Sequence, residues 1–164
     1  MTSVSLQFSD LVHPECVFEN LEARSRDEAL ATMAQYLVDS GYCHKTFPDA
    51  ILERERIHPS GLPMLGHKIA IPHTDADHVK SSVILFARLK SPVSFFSMGA
   101  PDERIPVQMI SMFALKEKKL IGDMLETLIT VYQHHEVLDA ILNASDGEEI
   151  YALLRDAVTT HGKR

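Results

Sequence analysis

The sequence predicts an α/β fold: a three-layer domain with a central mixed β-sheet flanked by helices on both faces. Three observations carry that expectation. Apolar residues recur at helical spacing near both ends of the chain. Two long apolar runs, residues 81–89 and 107–115, read as strands buried on both faces. Between the first helices and those runs, the apolar segment Ile69-Ala70-Ile71 stops at Pro72 and is followed at once by His73.

Residues 12–21 carry a short strand around Val17 and Phe18. The first helix begins with Ser25 as its cap and Glu28 three positions later, the spacing of a capping box. Its inward face is Leu30, Met33, Ala34 and Leu37, and Gly41 ends it. A second helix starts at Pro48, a first-turn proline, and runs through Ile51 and Leu52 to about Ile57. Residues 59–64 form a loop, and a strand then leads into His73. Ile71 is pushed towards extended geometry by the proline after it, and Pro72 fixes its own φ. His73 is therefore expected on a stiff backbone at a strand tip. Residues 92–106 are expected to be mostly loop, with a short strand at 93–96. In the strand at 107–115, Met109 and Met112 are read as core filling. Three helices close the chain, over 120–133, 134–143 and 147–159, the last capped by Asp146 with Glu148 and Glu149 in its first turn.

The whole chain, residues 1–164, is expected to form one domain with an ordinary globular balance, 45% apolar and 24% charged. The net charge is −7, from 16 basic and 23 acidic residues. No basic stripe is present, which argues against nucleic acid as a partner. No apolar run is long enough to span a bilayer, and the N-terminus lacks the charge and apolar pattern of a secretion signal, so a cytoplasmic protein is expected. Cys16 and Cys43 fit no metal spacing and are expected to be reduced.

The chemistry rests on histidine. A neutral imidazole is a competent nucleophile near neutral pH, and phosphoryl transfer to it needs positioning and charge stabilisation above all. Thr74, Lys80, Arg54, Arg56 and the backbone N–H groups after His73 are candidate phosphate donors. A metal site built from His73, Asp75, Asp77 and His78 is the rival reading, weakened because His73 and His78 are five residues apart and do not share a helical face.

The stretch Glu53-Arg54-Glu55-Arg56-Ile57-His58-Pro59-Ser60-Gly61-Leu62, followed by Ile69-Ala70-Ile71-Pro72-His73, resembles the mannitol/fructose-type (type 2) EIIA domains of the bacterial sugar phosphotransferase system. The continuation from His73 through His78-Val79-Lys80-Ser81-Ser82 is most similar to the galactitol-specific branch. The resemblance spans essentially the whole chain. It implies that His73 accepts phosphate on Nε2 from the phosphohistidine of HPr and passes it to a cysteine of a cognate EIIB. The membrane component EIIC is then an indirect partner, and no cofactor is needed. It also implies that Arg54 helps bind the phosphoryl group, and that galactitol is the polyol served. The alternative is a free-standing regulatory EIIA of the nitrogen type.

In one respect the sequence departs from the family. Mannitol-type members carry a second active-site histidine after the long apolar strand, where this chain reads Leu115-Lys116-Glu117-Lys118-Lys119-Leu120. A lysine there could supply charge, and His78 is the candidate to supply the imidazole. His67 is a weaker candidate, and His13, His44, His134, His135 and His161 are expected at the surface. Leu62, Met64 and Leu65 either form an apolar rim for docking EIIB or pack inwards.

Overall fold

The computed structural model describes residues 7–64 and 66–162. The order of elements is β1 (Val12–Leu21), α1 (Arg26–Asp39), α2 (Phe47–Ile57), β2 (Ile69–Ala70), β3 (Val83–Ser97), β4 (Ala100–Ala114), α3 (Ile121–Tyr132), α4 (His135–Leu142) and α5 (Gly147–His161). The four strands form one mixed sheet in the order β1-β3-β4-β2. β1 lies parallel to β3, β3 antiparallel to β4, and β2 parallel to β4. The layered α/β expectation holds. No helix among the described residues is long and apolar enough to cross a membrane.

Strand alternation divides the core in two. On one face Val83, Leu85 and Ala87 of β3 meet Leu30, Met33 and Leu37 of α1 and Phe47 and Ile51 of α2. On the other, Ile84 and Phe86 with Met109 and Phe113 of β4 meet Met124 and Leu128 of α3, Leu138 of α4 and Leu154 of α5. Both sheet faces are covered, which is why these strands read as continuous apolar runs. Cys16 and Cys43 are free and buried, and burial pushes their thiols up to about 11 and about 12.

Several local expectations are corrected. β1 spans the full stretch Val12–Leu21. The strand into His73 pairs with β4 only at Ile69 and Ala70, because the Ile71 N–H donates to Ser60 O instead and Pro72 has no N–H. The loop expected over 92–106 is an extension of the β3–β4 hairpin, turning at positive-φ Gly99. Its inward residues, Val93, Phe95, Ile105 and Val107, are buried, while polar and proline residues occupy the outer positions and hid the period. Ser25 caps α1 by accepting from Glu28 N at 3.1 Å. The Glu28 carboxylate, however, accepts from Arg24 N and not from the cap residue, so the box is not reciprocal. Asp146 caps α5 as expected, accepting from Glu149 N at 2.9 Å.

Arg88 of β3 ties three elements together. Its guanidinium donates to Glu19 O on β1 at 2.9 Å, to Ile141 O in the last turn of α4 at 3.0 Å and to Ala144 O just beyond it at 2.7 Å. Ile141 O also accepts from Ala144 N at 3.2 Å, so the guanidinium adds a charged donor to the turn that ends α4. Arg88→Met keeps the aliphatic stem and removes the donors. It is expected to lower the unfolding free energy by about 2 kcal/mol in urea denaturation; a change within error would show that water replaces the guanidinium at no cost.

Candidate phosphoryl-transfer site

The site is assembled where the C-terminal turn of α2 meets the chain leaving β2. Arg54 and His58 are four residues apart and share a helix face, and His58 N donates to Arg54 O at 2.6 Å as the helix ends. Glu55, only 2% exposed, turns inward and accepts from Ser60 N at 2.8 Å and Ser60 Oγ at 2.7 Å. Burial raises its pKa. Ser60 is held in turn by its carbonyl, which accepts from Ile71 N at 3.1 Å.

Gly61 is fixed to the hairpin on both sides, donating to Phe96 O at 3.2 Å and accepting from Met98 N at 2.7 Å. A side chain there would place Cβ 2.7 Å from Phe96 O and 2.6 Å from Ile105 Cδ1, so only glycine permits this approach. The loop after α2 is thus clamped between β2 and the β3–β4 hairpin, and the clamp carries Arg54 and His58 to His73.

His73 is 9% exposed, its ring stacked on Phe113 at 4.6 Å between centroids and 15° between planes. Nδ1 lies 3.3 Å from Ile71 O, a long bond that selects the Nδ1–H tautomer and leaves the Nε2 lone pair available. A cleft of about 170 Å³ is lined by His73, Arg54, Glu55, His58, Pro59, Ser60, Met98 and Leu125. Burial, and next the Arg54 charge, push the His73 pKa from 6.5 down to about 4; the Ile71 carbonyl and Asp75 oppose this and His58 adds to it. The imidazole is therefore neutral throughout the physiological range.

This shift has a stability signature. The unfolded chain takes up the His73 proton near the ordinary value of about 6.5, whereas the folded chain resists it until about 4. The stability carried by neutral His73 is thus complete above pH 6.5 and is lost as pH falls from 6.5 towards 4, on the order of 3 kcal/mol over that window. Glu55 works the other way, because its raised pKa lets the folded state bind a proton first. His73→Gln isolates the first effect. The gap between its urea stability and that of the parent is expected to move in the variant's favour between pH 7 and pH 4.5, and parallel profiles would contradict the buried neutral imidazole.

The other expected site residues are placed as follows. Thr74 follows His73 and is buried, whereas Lys80 is exposed, its N–H donating to Tyr42 O at 2.8 Å. His78 does not line the cleft. Its Nδ1 is 2.8 Å from Thr46 Oγ1, and its carbonyl accepts from His44 N, at the N-terminal end of α2. Arg54 sits eight residues further along that helix, about 12 Å away at 1.5 Å per residue. His67 Nε2 is paired with Asp139 of α4 at 2.6 Å. Donor atoms of His73, Asp75, Asp77 and His78 are not gathered in the manner of a metal site among the described residues.

The second imidazole beside His73 is His58, which the sequence reading passed over. Its signal was its place four residues after Arg54, at a helix end. Leu62 is 4% exposed and belongs to the core, and Met64 packs against the same core, so these two take the inward alternative; Leu65 lies outside the described residues. Among the described residues the large apolar side chain that is exposed is Ile57, next to His58 and 60% accessible.

Residues 10–157 match the family described as "Phosphoenolpyruvate-dependent sugar phosphotransferase system, EIIA 2". The chain is 31% identical over 155 residues to multiphosphoryl transfer protein 2 of Escherichia coli strain K12, covering 91% of this chain but only 17% of that much longer protein. It is 27% identical over 117 residues to the galactitol-specific EIIA component of the same strain, covering 71% of this chain and 77% of the relative. A nitrogen regulatory protein of Bradyrhizobium diazoefficiens is 26% identical over 153 residues, with 91% and 95% covered. The fold is also that of the mannitol enzyme IIA solved in complex with phosphorylated enzyme IIB from E. coli, with a TM-score of 0.70 at 22% identity over 87% of this chain and 95% of that one.

Proposed function

We propose a mechanism from this premise: the chain belongs to the EIIA 2 family of the phosphoenolpyruvate-dependent sugar phosphotransferase system and is a phosphotransferase component of it. On this reading, His73 is the phosphoryl carrier. Its neutral Nε2 attacks the phosphorus of a phosphohistidine on HPr; the new N–P bond forms as the donor N–P bond breaks, and the donor imidazole departs. The second transfer reverses the polarity. A cysteine thiolate of EIIB attacks the same phosphorus, an S–P bond forms, and His73 leaves.

The observation that carries this reading is the buried His73 ring, held through Nδ1 and facing the Arg54 cleft. Low basicity suits both steps. It keeps the lone pair free at neutral pH, and it makes the imidazole a good leaving group towards a thiolate. Arg54 pairs with the phosphoryl oxygens, and a hydrogen-bonding His58 beside them would take the place of the missing downstream histidine. Thr74, the buried residue after His73, is a further candidate donor, whereas Lys80 and His78 do not line the cleft and are given no part in the transfer. The exposed Ile57, the residue before His58, offers an apolar contact to either protein partner.

Galactitol is the sugar this reading favours, supported by the galactitol-specific relative and by the His78-Val79-Lys80-Ser81-Ser82 continuation. The nitrogen regulatory relative supports the second reading, in which the phosphorylation state is a signal to a partner protein. Incubation with phosphoenolpyruvate, enzyme I and HPr should produce an acid-labile phosphoprotein, and failure to label would overturn the carrier role. Discharge of that phosphate onto galactitol-type EIIB would favour transport; retention in its presence would favour regulation.

A further inference from the structure

A second group of ligating side chains lies at the corner between α3 and α4, where the phosphocarrier chemistry has no use for it. His134 immediately precedes α4, Glu136 occupies its first turn, and His161 is the last residue of α5. One donor atom from each lies within 4.8 Å of the others. The two imidazoles are face to face, with centroids 3.8 Å apart and planes at 20°. His134 Nδ1 is 3.3 Å from Glu136 Oε1. A charge-assisted N–H···O bond usually closes to about 2.7–2.9 Å. By contrast, roughly 3.3 Å is the spacing of two ligand atoms that each sit about 2.0–2.1 Å from one tetrahedral ion.

We propose that His134, Glu136 and His161 form a binding site for a divalent transition cation, Zn²⁺ foremost, with water completing the coordination. Two imidazole nitrogens with one carboxylate suit zinc and neighbouring metals, whereas calcium and magnesium take oxygen ligands. The stacked rings hold their in-plane lone pairs in near-parallel planes, so a shared ion requires the imidazoles to turn towards one another, and the side chains of His134 and Glu136 are 39% and 72% accessible. The ion would staple the start of α4 to the end of α5, and so favour the folded state over the unfolded one.

The test uses the full chain without a polyhistidine tag, freed of metal by chelator and titrated with zinc by calorimetry and by thermal unfolding. One zinc per chain is expected, with a rise in Tm that saturates at one equivalent. His134→Ala and His161→Ala should each weaken zinc at least about tenfold. His135→Ala should leave affinity unchanged, because His135 faces Gly66 and is outside the cluster. So should His73→Ala, which separates this site from the phosphoryl site. Glu136→Gln provides a second, conservative ligand change should either alanine variant fail to fold. Absence of saturable binding below about 100 µM zinc, or parent-like affinity in the folded ligand variants, would overturn the site.

Discussion

Replacement of His73 by alanine is expected to abolish phosphate uptake from phospho-HPr. Among the described residues no second nucleophile is arranged to substitute for it. His58 shares the cleft, but it sits on the exposed end of α2, without the carbonyl bond and the Phe113 stack that fix His73. In a reaction that depends on aligning acceptor and donor nitrogens with the phosphorus, losing that alignment costs orders of magnitude even when another imidazole is near. Labelling from radioactive phosphoenolpyruvate should therefore fall below detection, at least about 10³-fold beneath the parent. The folded state should survive, because Phe113 remains sealed in the core beneath the removed ring. Persistent acid-labile phosphate in His73→Ala would move the nucleophile to another histidine, with His58 the first to be tested.

The parts of the fold that were legible in the sequence are those where local and global demands coincide. Ser25 and Asp146 mark helix starts because their side chains accept from the third residue onward, a requirement independent of the rest of the molecule. The runs around 83–89 and 107–114 are readable because both faces of those strands are buried. The hairpin between them was hidden. Its outer face is solvated, and Pro92 and Pro106 look like strand breakers, although Pro106 pairs opposite Ser94 within the hairpin.

The site divides in the same way. Proline stiffening singles out His73 from sequence, and the motif picks out Arg54. His58 escaped notice because its relevance comes from the fold of the loop after α2. The inward Glu55, the Ser60 turn and the close approach of Gly61 to Phe96 bring that helix end against His73. His78 is near His73 in sequence, but the short turn at Ala76–His78 carries its ring to Thr46. Nearness along the chain favoured the wrong geometry for a cleft neighbour, and only the packing of α2 supplies the alternative. Arg88 shows the same limit: nothing local says that its guanidinium will finish a helix 53 residues away.

Arg54→Ala is expected to produce the second largest effect, a loss of about 10²–10³-fold in the rate of phosphoryl transfer through His73. The side chain lines the cleft, and its charge already acts on the His73 ring in the unphosphorylated protein. A phosphoryl group arriving there brings negative charge into a partly enclosed space, where a guanidinium can meet two oxygens at once. Arg54→Lys retains the charge but not the planar fork, so it should recover only part of the rate. A merely structural arginine would behave differently. Loss of packing would impair Ala and Lys variants through stability, whereas a charge acting on the ring predicts a spectroscopic change as well. Because Arg54 helps to hold the His73 pKa down to about 4, its removal should move that titration upward in an NMR pH series, and Arg54→Lys should move it less. A slowed reaction with an unmoved His73 titration would place Arg54 outside electrostatic reach of the imidazole and assign its contribution to partner docking.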